Sequence, residues 1–226
     1  MSIKTNSRIA GVTFLFYIAA GIASMQLQST ATAGEGTAEK LASIAGHTTG
    51  FGVSIILDLL CNFSALVLAV TLYAITRHQD RDIAMMGFAF RAGEGIIGAA
   101  NLPKTLGLLW LATSGSGAVN GTVSANSIGE YLLMPVDSSN ISALFFAAGS
   151  TVFSYLFLRG RMIPAALAWL GIAASVLLVI FLPLQIAGFI RGSFYVWIPM
   201  LIFELILAFL LIIKGADIQE KNGEVL

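Results

Sequence analysis

The chain has 226 residues, of which 57% are hydrophobic and 11% are charged, and its mean hydropathy is +0.88. Soluble domains carry about 25% charged residues, so this composition excludes a soluble globular domain and indicates that lipid covers most of the surface. A formal net charge of zero gives no basis for nucleic-acid binding.

Six apolar runs are long enough to cross a bilayer, which takes about 20 residues in a helix. They cover residues 9–27, 49–75, 83–112, 141–158, 163–190 and 194–213. We therefore predict an all-α fold, a polytopic membrane bundle of six transmembrane helices. Five prolines and no low-complexity tract give no sign of a linker, so residues 1–226 are expected to form a single transmembrane domain.

The first run is followed by Ala31-Thr32-Ala33, which resembles a signal-peptidase site. The run has about 18 residues and exceeds the usual 7–15-residue apolar region of a signal peptide, so we predict a retained span.

Further along, the polar segment 113–140 is rich in glycine, serine and asparagine, which predicts a loop with one short turn at 130–134. Pro103 is expected to kink or end the third helix, and Pro183 with Gln185 to interrupt the fifth.

The basic residues outside the spans predict the orientation of the chain. One side of a six-span arrangement receives eight of them: Lys4, Arg8, Arg77, Arg81, Arg159, Arg161, Lys214 and Lys221. The other side receives Lys40 and Arg191. The positive-inside rule then places both termini in the cytoplasm of a bacterial cell, with the chain in the inner membrane. The arginines can also contact anionic lipid headgroups.

The third span contains the most informative stretch, GFAFRAGEGIIGAANLPKT at residues 87–105. Arg91, Glu94, Gly98 and Asn101 fall on one helical face. A charged side chain at the bilayer centre costs about 2.5–3.5 kcal/mol, so this face is expected to point at protein or water. The glycines around it, among them Gly87 and Gly95, are expected to permit close helix approach.

Two other spans carry buried acids, namely Asp58 with Asn62 in the second and Glu204 in the sixth. If these spans adjoin the third, three carboxyls and one guanidinium converge. The set of candidate binding residues is Asp58, Asn62, Arg91, Glu94, Asn101 and Glu204. One interpretation is a structural ion-pair network that fixes helix register. The other is a functional site, because the surplus of acids over bases suits the binding of a proton, a cation or an amine.

Other chemistry finds little support in the sequence. Cys61 is the only cysteine, which excludes a disulfide framework and a multi-cysteine metal site. His47 and His78 fall on opposite membrane faces in this topology and cannot share a metal. No Walker, haem or HExxH motif is present, so we predict no cofactor and no metal.

Three segments carry a family resemblance: RIAGVTFL from Arg8, YLFLRGRMIP at 155–164 with the following Leu170-Gly171, and ELILAFLLIIKG at 204–215. Together they resemble a bacterial multi-pass membrane family known only as a domain of unknown function. The resemblance implies several tightly packed transmembrane helices and no established reaction or catalytic residue. In the fourth span the family often has a histidine, where this chain has Ser150, Thr151 and Ser154.

The function predicted from the sequence is an integral inner-membrane protein that binds or moves a small cation, proton or amphiphile at a buried acidic site. Six spans are few for a secondary carrier, so we expect a homodimer embedded in the lipid bilayer. One alternative is an intramembrane lipid-modifying enzyme with Asp58 or Glu94 as general acid or base, which the lack of a histidine or activated nucleophile in the spans disfavours. The other is a non-catalytic membrane partner protein that uses the loop at 113–140.

Overall fold

The computed structural model describes residues 1–114, 122–133 and 137–216, and every regular element in these ranges is helical. A 3-10 turn, Phe194–Trp197, precedes the last helix. In chain order the helices are α1 (Ile3–Ala31), α2 (Gly36–Gly46), α3 (Thr48–Thr76), α4 (Arg81–Ala99), α5 (Leu102–Thr113), α6 (Thr122–Leu133), α7 (Asp137–Arg159), α8 (Ala165–Ile186) and α9 (Ile198–Ile213).

Six helical segments have the length and composition to cross a membrane, which confirms the predicted all-α bundle of six spans. They are Ile3–Ala31, Thr48–Thr76, Arg81–Thr113, Asn140–Arg159, Ala165–Ile186 and Phe194–Ile213. The first helix is longer than the predicted run at both ends. It begins where the Ser2 hydroxyl accepts a hydrogen bond from the Thr5 N–H, a cap that apolar periodicity does not reveal.

The spans form a closed ring in which each packs against its neighbours in sequence. α3 packs on α1, α4 on α3, α7 on α4, α8 on α7 and α9 on α8, and α9 returns to α1. Short connections favour such antiparallel neighbours. The main core lies inside the ring and draws on every span, with buried residues that include Phe14, Leu68, Ala84, Phe146, Leu178 and Leu207.

Small residues set the distance between neighbouring helices at several points of the ring. A Cβ atom added to Gly95 on α4 would lie 2.7 Å from the Asn62 carbonyl oxygen on α3, and one added to Gly11 on α1 would lie 2.6 Å from the Ala208 carbonyl oxygen on α9. A Cβ atom on Gly87 would instead lie 3.0 Å from the side chain of Phe153 on α7. The backbones of neighbouring helices therefore approach closely at Gly95, as predicted, and also at Gly11, which was not predicted.

The third span is divided into two helices. α4 ends at Ala99, residues 100 and 101 form a turn, and α5 begins at Leu102. Pro103 stands in the first turn of α5, where its missing N–H has no helical partner to lose. The predicted effect of Pro103 is thus a helix restart, and Asn101 occupies the break.

The predicted loop at 113–140 is wrong over the part that the structure describes, because α6 covers Thr122–Leu133; residues 115–121 and 134–136 lie outside the described ranges. α6 packs against α2 and α5. A second, smaller core with Ala31, Ile44, Phe51 and Leu108 lies beside these helices, with Leu132 and Leu133 of α6 packed on it. Tertiary packing therefore stabilises a helix that its glycine and serine content disfavours.

The predicted interruption of the fifth span at Pro183 is also wrong, because α8 continues through Pro183 to Ile186. Pro183 removes one N–H···O=C bond of the helix, and the helix ends three residues later at Ile186. The helix then ends in a Schellman motif: Phe189 N–H donates to Leu184 C=O and Gly188 N–H to Gln185 C=O. Gly188 has φ of 77°, the left-handed conformation that this motif requires.

Candidate functional site

The predicted charged face of the third span points into the ring. Arg91 and Glu94 lie one turn apart on α4, and Arg91 Nη1 is 2.9 Å from Glu94 Oε2. Arg91 is 0% exposed and Glu94 3%. The expectation that this face points at protein and away from lipid is therefore confirmed.

Two further helices bring polar groups to this ion pair. From α1, the Tyr17 hydroxyl donates a hydrogen bond of 2.8 Å to Glu94 Oε1. From α9, Glu204 is 5% exposed and interacts electrostatically with both Arg91 and Glu94. We call Tyr17, Arg91, Glu94 and Glu204 the buried charge cluster. It joins the first, third and last spans of the ring.

Aromatic rings and a glycine shape the space around the guanidinium. Arg91 Cζ lies 4.8 Å from the ring centroid of Phe146, 5.7 Å from that of Phe14 and 5.9 Å from that of Tyr17. A Cβ atom on Gly149 would lie 2.9 Å from Arg91 Cγ, so the side-chain stem crosses α7 where no side chain obstructs it. Cation–π attraction thus replaces part of the hydration that burial removes.

Hydrogen bonding in the buried charge cluster is incomplete among the described residues. None of the three guanidinium nitrogens has a hydrogen bond, and neither has Glu204 Oε1 or Glu94 Oε2. The 2.9 Å contact of Arg91 with Glu94 is an ion pair whose N–H is not directed at the oxygen. Because an unsatisfied buried polar group costs about 1–3 kcal/mol and a charged one more, such an arrangement is a weak source of stability.

A separate polar cavity of about 340 Å³ lies between α1, α3, α7 and the α4–α5 break. Its polar lining consists of Ser24, Gln28, Asp58, Cys61, Asn62, Asn101, Thr105 and Ser142, and its other lining residues are Gly21, Met25, Gly98 and Leu102. The two asparagines predicted for the site therefore lie here. The divided third span contributes Asn101 from its break, so the break itself forms part of the cavity wall.

Asp58 is held in this cavity by two side chains of α1. Ser24 Oγ donates to Asp58 Oδ1 at 2.5 Å, and Gln28 Nε2 donates to Oδ2 at 2.7 Å. Gln28 Nε2 also lies 3.1 Å from Ser24 Oγ, so the three side chains form one network. Both carboxylate oxygens are thereby fixed by neutral donors.

The six predicted site residues are divided between these two places. Arg91, Glu94 and Glu204 come together in the buried charge cluster, whereas Asp58, Asn62 and Asn101 line the cavity. The convergence of Asp58 with the other charges was expected if the second, third and sixth spans adjoin. The second and sixth spans, α3 and α9, are not neighbours in the ring, and the Asp58 carboxylate is engaged by α1. Two hydrogen bonds from cavity residues link the two places within the described part of the chain. The Ser142 hydroxyl donates to the Glu94 carbonyl oxygen at 2.9 Å, and the Cys61 thiol donates to the Tyr17 carbonyl oxygen at 3.7 Å.

Several residues of these sites were not predicted from the sequence, among them Tyr17, Ser24, Gln28 and Phe146. Three of them lie on α1, at positions 17, 24 and 28, which follow the spacing of one helical face. That spacing was available in the sequence. Without knowledge that α1 packs on both α3 and α9, however, it did not distinguish these residues from ordinary polar residues of a span.

Within the described ranges, no group of three or more histidine, cysteine, aspartate or glutamate side chains is placed to hold a metal ion. Cys61 is half-buried between the two sites, and its thiol lies 3.7 Å from the Tyr17 carbonyl oxygen. It packs as a small weakly polar group.

Comparison with known proteins places the chain in a family. No curated protein and no solved structure matches it. A family model described as "Domain of unknown function (DUF4386)" matches residues 9–215, which covers the six spans almost completely. The suspected resemblance to a membrane family without an assigned function is thereby confirmed, and the chain belongs to the DUF4386 family.

Proposed function

We propose that this multi-pass membrane protein binds a small organic cation in the polar cavity, with Asp58 as the group that recognises its charge. The observation that carries the proposal is one half-buried carboxylate, that of Asp58, in the lining of a polar cavity of about 340 Å³ between the helices. Sites for small ligands commonly measure about 300–1,000 Å³. The volume therefore suits a compact molecule, such as an amine or quaternary ammonium ion.

The charge of the lining supports a cation over an anion or a neutral ligand. Among the described residues that line the cavity, Asp58 is the one charged residue, and its partners Ser24 and Gln28 are neutral. Neutral donors orient a carboxylate without cancelling its charge, so a bound cation would complete the pairing. Asn62 and Asn101 add amide groups that can orient the polar part of a ligand.

Affinity for a model cation tests this proposal. We would measure the binding of benzyltrimethylammonium and of its neutral analogue neopentylbenzene to the detergent-purified protein by calorimetry. Benzyltrimethylammonium has no N–H, so the carboxylate attracts it by charge alone, which contributes about 3 kcal/mol at roughly 5 Å and an effective dielectric constant of about 20, before the cost of desolvation. Asp58→Asn is therefore expected to weaken binding of the cation about tenfold to a hundredfold. Binding of the neutral analogue is expected to change little.

Asp82 provides the matched control, because it is an exposed acid in the first turn of α4 and is not among the cavity residues. Asp82→Asn removes the same charge and should leave the affinity for benzyltrimethylammonium unchanged. Equal binding of the two probes, or equal loss in both variants, would contradict recognition by Asp58.

A second candidate function is the carriage of protons through the buried charge cluster. It is favoured by the buried Glu204, whose Oε1 has no hydrogen-bond partner among the described residues. Intramembrane acids of this kind commonly serve proton pathways. Proton flux into proteoliposomes should be lost in Glu204→Gln, and flux identical to that of the unchanged protein would exclude this role.

We further propose that the chain is a single domain of the bacterial inner membrane, that both termini face the cytoplasm and that it forms a homodimer. The strongest support for the orientation is the distribution of basic residues between the two sides of the spans. The homodimer rests on the small number of spans for a carrier, and native mass spectrometry in detergent would test it.

A further inference from the structure

We infer that a pocket at the α3–α4 turn binds the phosphate of an anionic lipid headgroup. The pocket has a volume of about 370 Å³ and is lined by Tyr73, Arg77, His78 and Arg81. Its lining thus combines two guanidinium groups, an imidazole and a phenol, and includes no acidic side chain. Such a set of donors suits the oxygens of a phosphate.

The position of the pocket favours a lipid as the source of the phosphate. Arg77 is the C-cap of α3 and Arg81 is the first residue of α4, so both lie at the ends of membrane spans. Charged residues directly beyond an apolar span lie at the level of the headgroups. Tyr73 lies one turn inside α3 and contacts Phe88 on α4 edge to face, with ring centroids 6.0 Å apart, which fixes one wall.

Neither neighbouring acid, Asp80 or Asp82, is among the residues that line this pocket. Asp80 lies between the two arginines in sequence, yet its carboxylate accepts hydrogen bonds from the Ile83 N–H at 3.1 Å and from Arg159 Nη1 at 3.0 Å. These partners, first the Ile83 N–H and then Arg159, hold the pKa of Asp80 below its usual range, so it is ionised and engaged elsewhere.

Arg77 and Arg81 therefore have no ion-pair partner within the described residues, where the ion pairs are Arg91 with Glu94 and Arg159 with Asp80. Both side chains are exposed. An exposed arginine is hydrated and needs no ion-pair partner, so a missing partner does not by itself indicate a binding site. Two unpaired arginines that share one concave pocket at headgroup depth are what points to an anionic ligand.

Retention of lipids by the detergent-purified protein tests the inference. We would record native mass spectra in the presence of phosphatidylglycerol or phosphatidylcholine with identical acyl chains. One phosphatidylglycerol is expected to be retained in preference to phosphatidylcholine. The double variant R77Q/R81Q should weaken this retention roughly thirtyfold, about fivefold for each guanidinium removed, and R77K/R81K should recover part of it.

The matched control is K4Q/R8Q, which removes two exposed basic side chains at the start of α1, outside the pocket lining. It should retain phosphatidylglycerol as the unchanged protein does. Equal loss in both double variants would show diffuse attraction to anionic lipid and overturn the pocket, as would equal retention of the two lipids. Should R77Q/R81Q fail to fold, the single variants R77Q and R81Q are compared with K4Q in the same measurement.

Inorganic phosphate distinguishes a lipid from a free anion. If it displaces phosphatidylglycerol only at a large excess, the acyl chains contribute to binding and the lipid assignment stands. If inorganic phosphate alone binds as tightly as the lipid, the ligand is a free anion and the assignment to a headgroup is wrong.

Discussion

At the scale of single residues, Arg91 and Glu94 form an ion pair in which both side chains are buried. Removal of one partner costs about 3–5 kcal/mol where the other charge is left buried without compensation, but in Glu94→Gln the carboxyl of Glu204 still interacts with Arg91 and offsets part of this cost. We therefore expect Glu94→Gln to lower the free energy of unfolding by less than about 3–5 kcal/mol. Unfolding in a titration with sodium dodecyl sulfate measures the change.

Replacement of both partners provides the internal control for that prediction. The double variant R91M/E94L removes both charges and fills the space with apolar side chains. Proteins in which a buried ion pair is replaced in this way often lose no stability. We expect it to be more stable than Glu94→Gln alone. If the double variant were the less stable of the two, Arg91 would be stabilised chiefly by the rings of Phe14, Tyr17 and Phe146.

The sequence predicted which residues of the third and sixth spans would be buried and charged, but not which of them would meet. The cost of a charge in lipid is a property of single residues, so Arg91, Glu94 and Glu204 stand out in any apolar span. Asp58 stands out for the same reason. Whether Asp58 meets Arg91 or the α1 residues Ser24 and Gln28 depends on how α3 is rotated about its own axis. A helix that is apolar on most of its faces does not fix this rotation by its sequence.

At the scale of elements, the α7–α8 turn contains a residue in an unfavourable conformation. The Schellman pattern is complete here: Met162 N–H donates to Phe157 C=O and Arg161 N–H to Leu158 C=O. Arg161 takes the position usually occupied by glycine, with φ of 49°. A left-handed conformation costs a residue with a Cβ about 1–2 kcal/mol, so Arg161→Gly should raise the free energy of unfolding by about 1 kcal/mol.

The reverse substitution at the end of α8 provides the comparison. Gly188 has φ of 77°, and a Cβ atom there would meet nothing within 4 Å. Gly188→Ala should therefore lower stability by about 1–2 kcal/mol through the backbone alone. Unfolding in detergent measures both variants. A higher free energy of unfolding in Arg161→Gly together with a lower one in Gly188→Ala would support the explanation from backbone conformation. A lower free energy of unfolding in Arg161→Gly would show that the contacts of the Arg161 side chain contribute more than the backbone conformation costs.

The start of α4 should respond to pH through Asp80. Its pKa is lowered in the folded state, mainly by the hydrogen bond from the Ile83 N–H and further by Arg159. A lowered pKa means that the stabilisation is present above the unfolded value, about 3.9, and is lost as the pH falls through the folded value. Asp80→Asn keeps an N-cap acceptor and removes the charge.

We therefore expect the thermal midpoint of Asp80→Asn to lie below that of the unchanged protein at neutral pH, with the difference closing below about pH 4. Asp82→Asn, an exposed acid two residues further on, should show no such convergence. A constant difference across this pH range would mean that the capping geometry, and not the charge, supplies the stabilisation.

The helices that cross the membrane were predictable from the sequence, because contact with lipid requires a long apolar segment. A span must satisfy its backbone internally, so apolar length alone locates it. The shorter helices α2 and α6 cannot be located in this way, because packing on the small core with Ile44, Phe51 and Leu108 stabilises them. The end of α4 before Pro103 follows from proline chemistry, whereas the cavity beside the break required the positions of α1 and α7.

At the scale of the whole molecule, orientation in the membrane is the clearest prediction still to be measured. Fusions of green fluorescent protein and of alkaline phosphatase to each terminus should show fluorescence and no phosphatase activity, because both termini are expected in the cytoplasm. A fusion of alkaline phosphatase at residue 34, between α1 and α2, should be active. An inactive phosphatase at that position together with an active one at either terminus would reverse the orientation.

The closed ring has a consequence for biosynthesis. The buried charge cluster takes Tyr17 from α1, Arg91 and Glu94 from α4, and Glu204 from α9, so the ribosome supplies its last member only when the final helix emerges. At roughly 10 residues per second, the nascent chain carries Arg91 in the membrane for about ten seconds before Glu204 arrives. An insertase that shelters unfinished spans would have the largest effect on this protein during that interval.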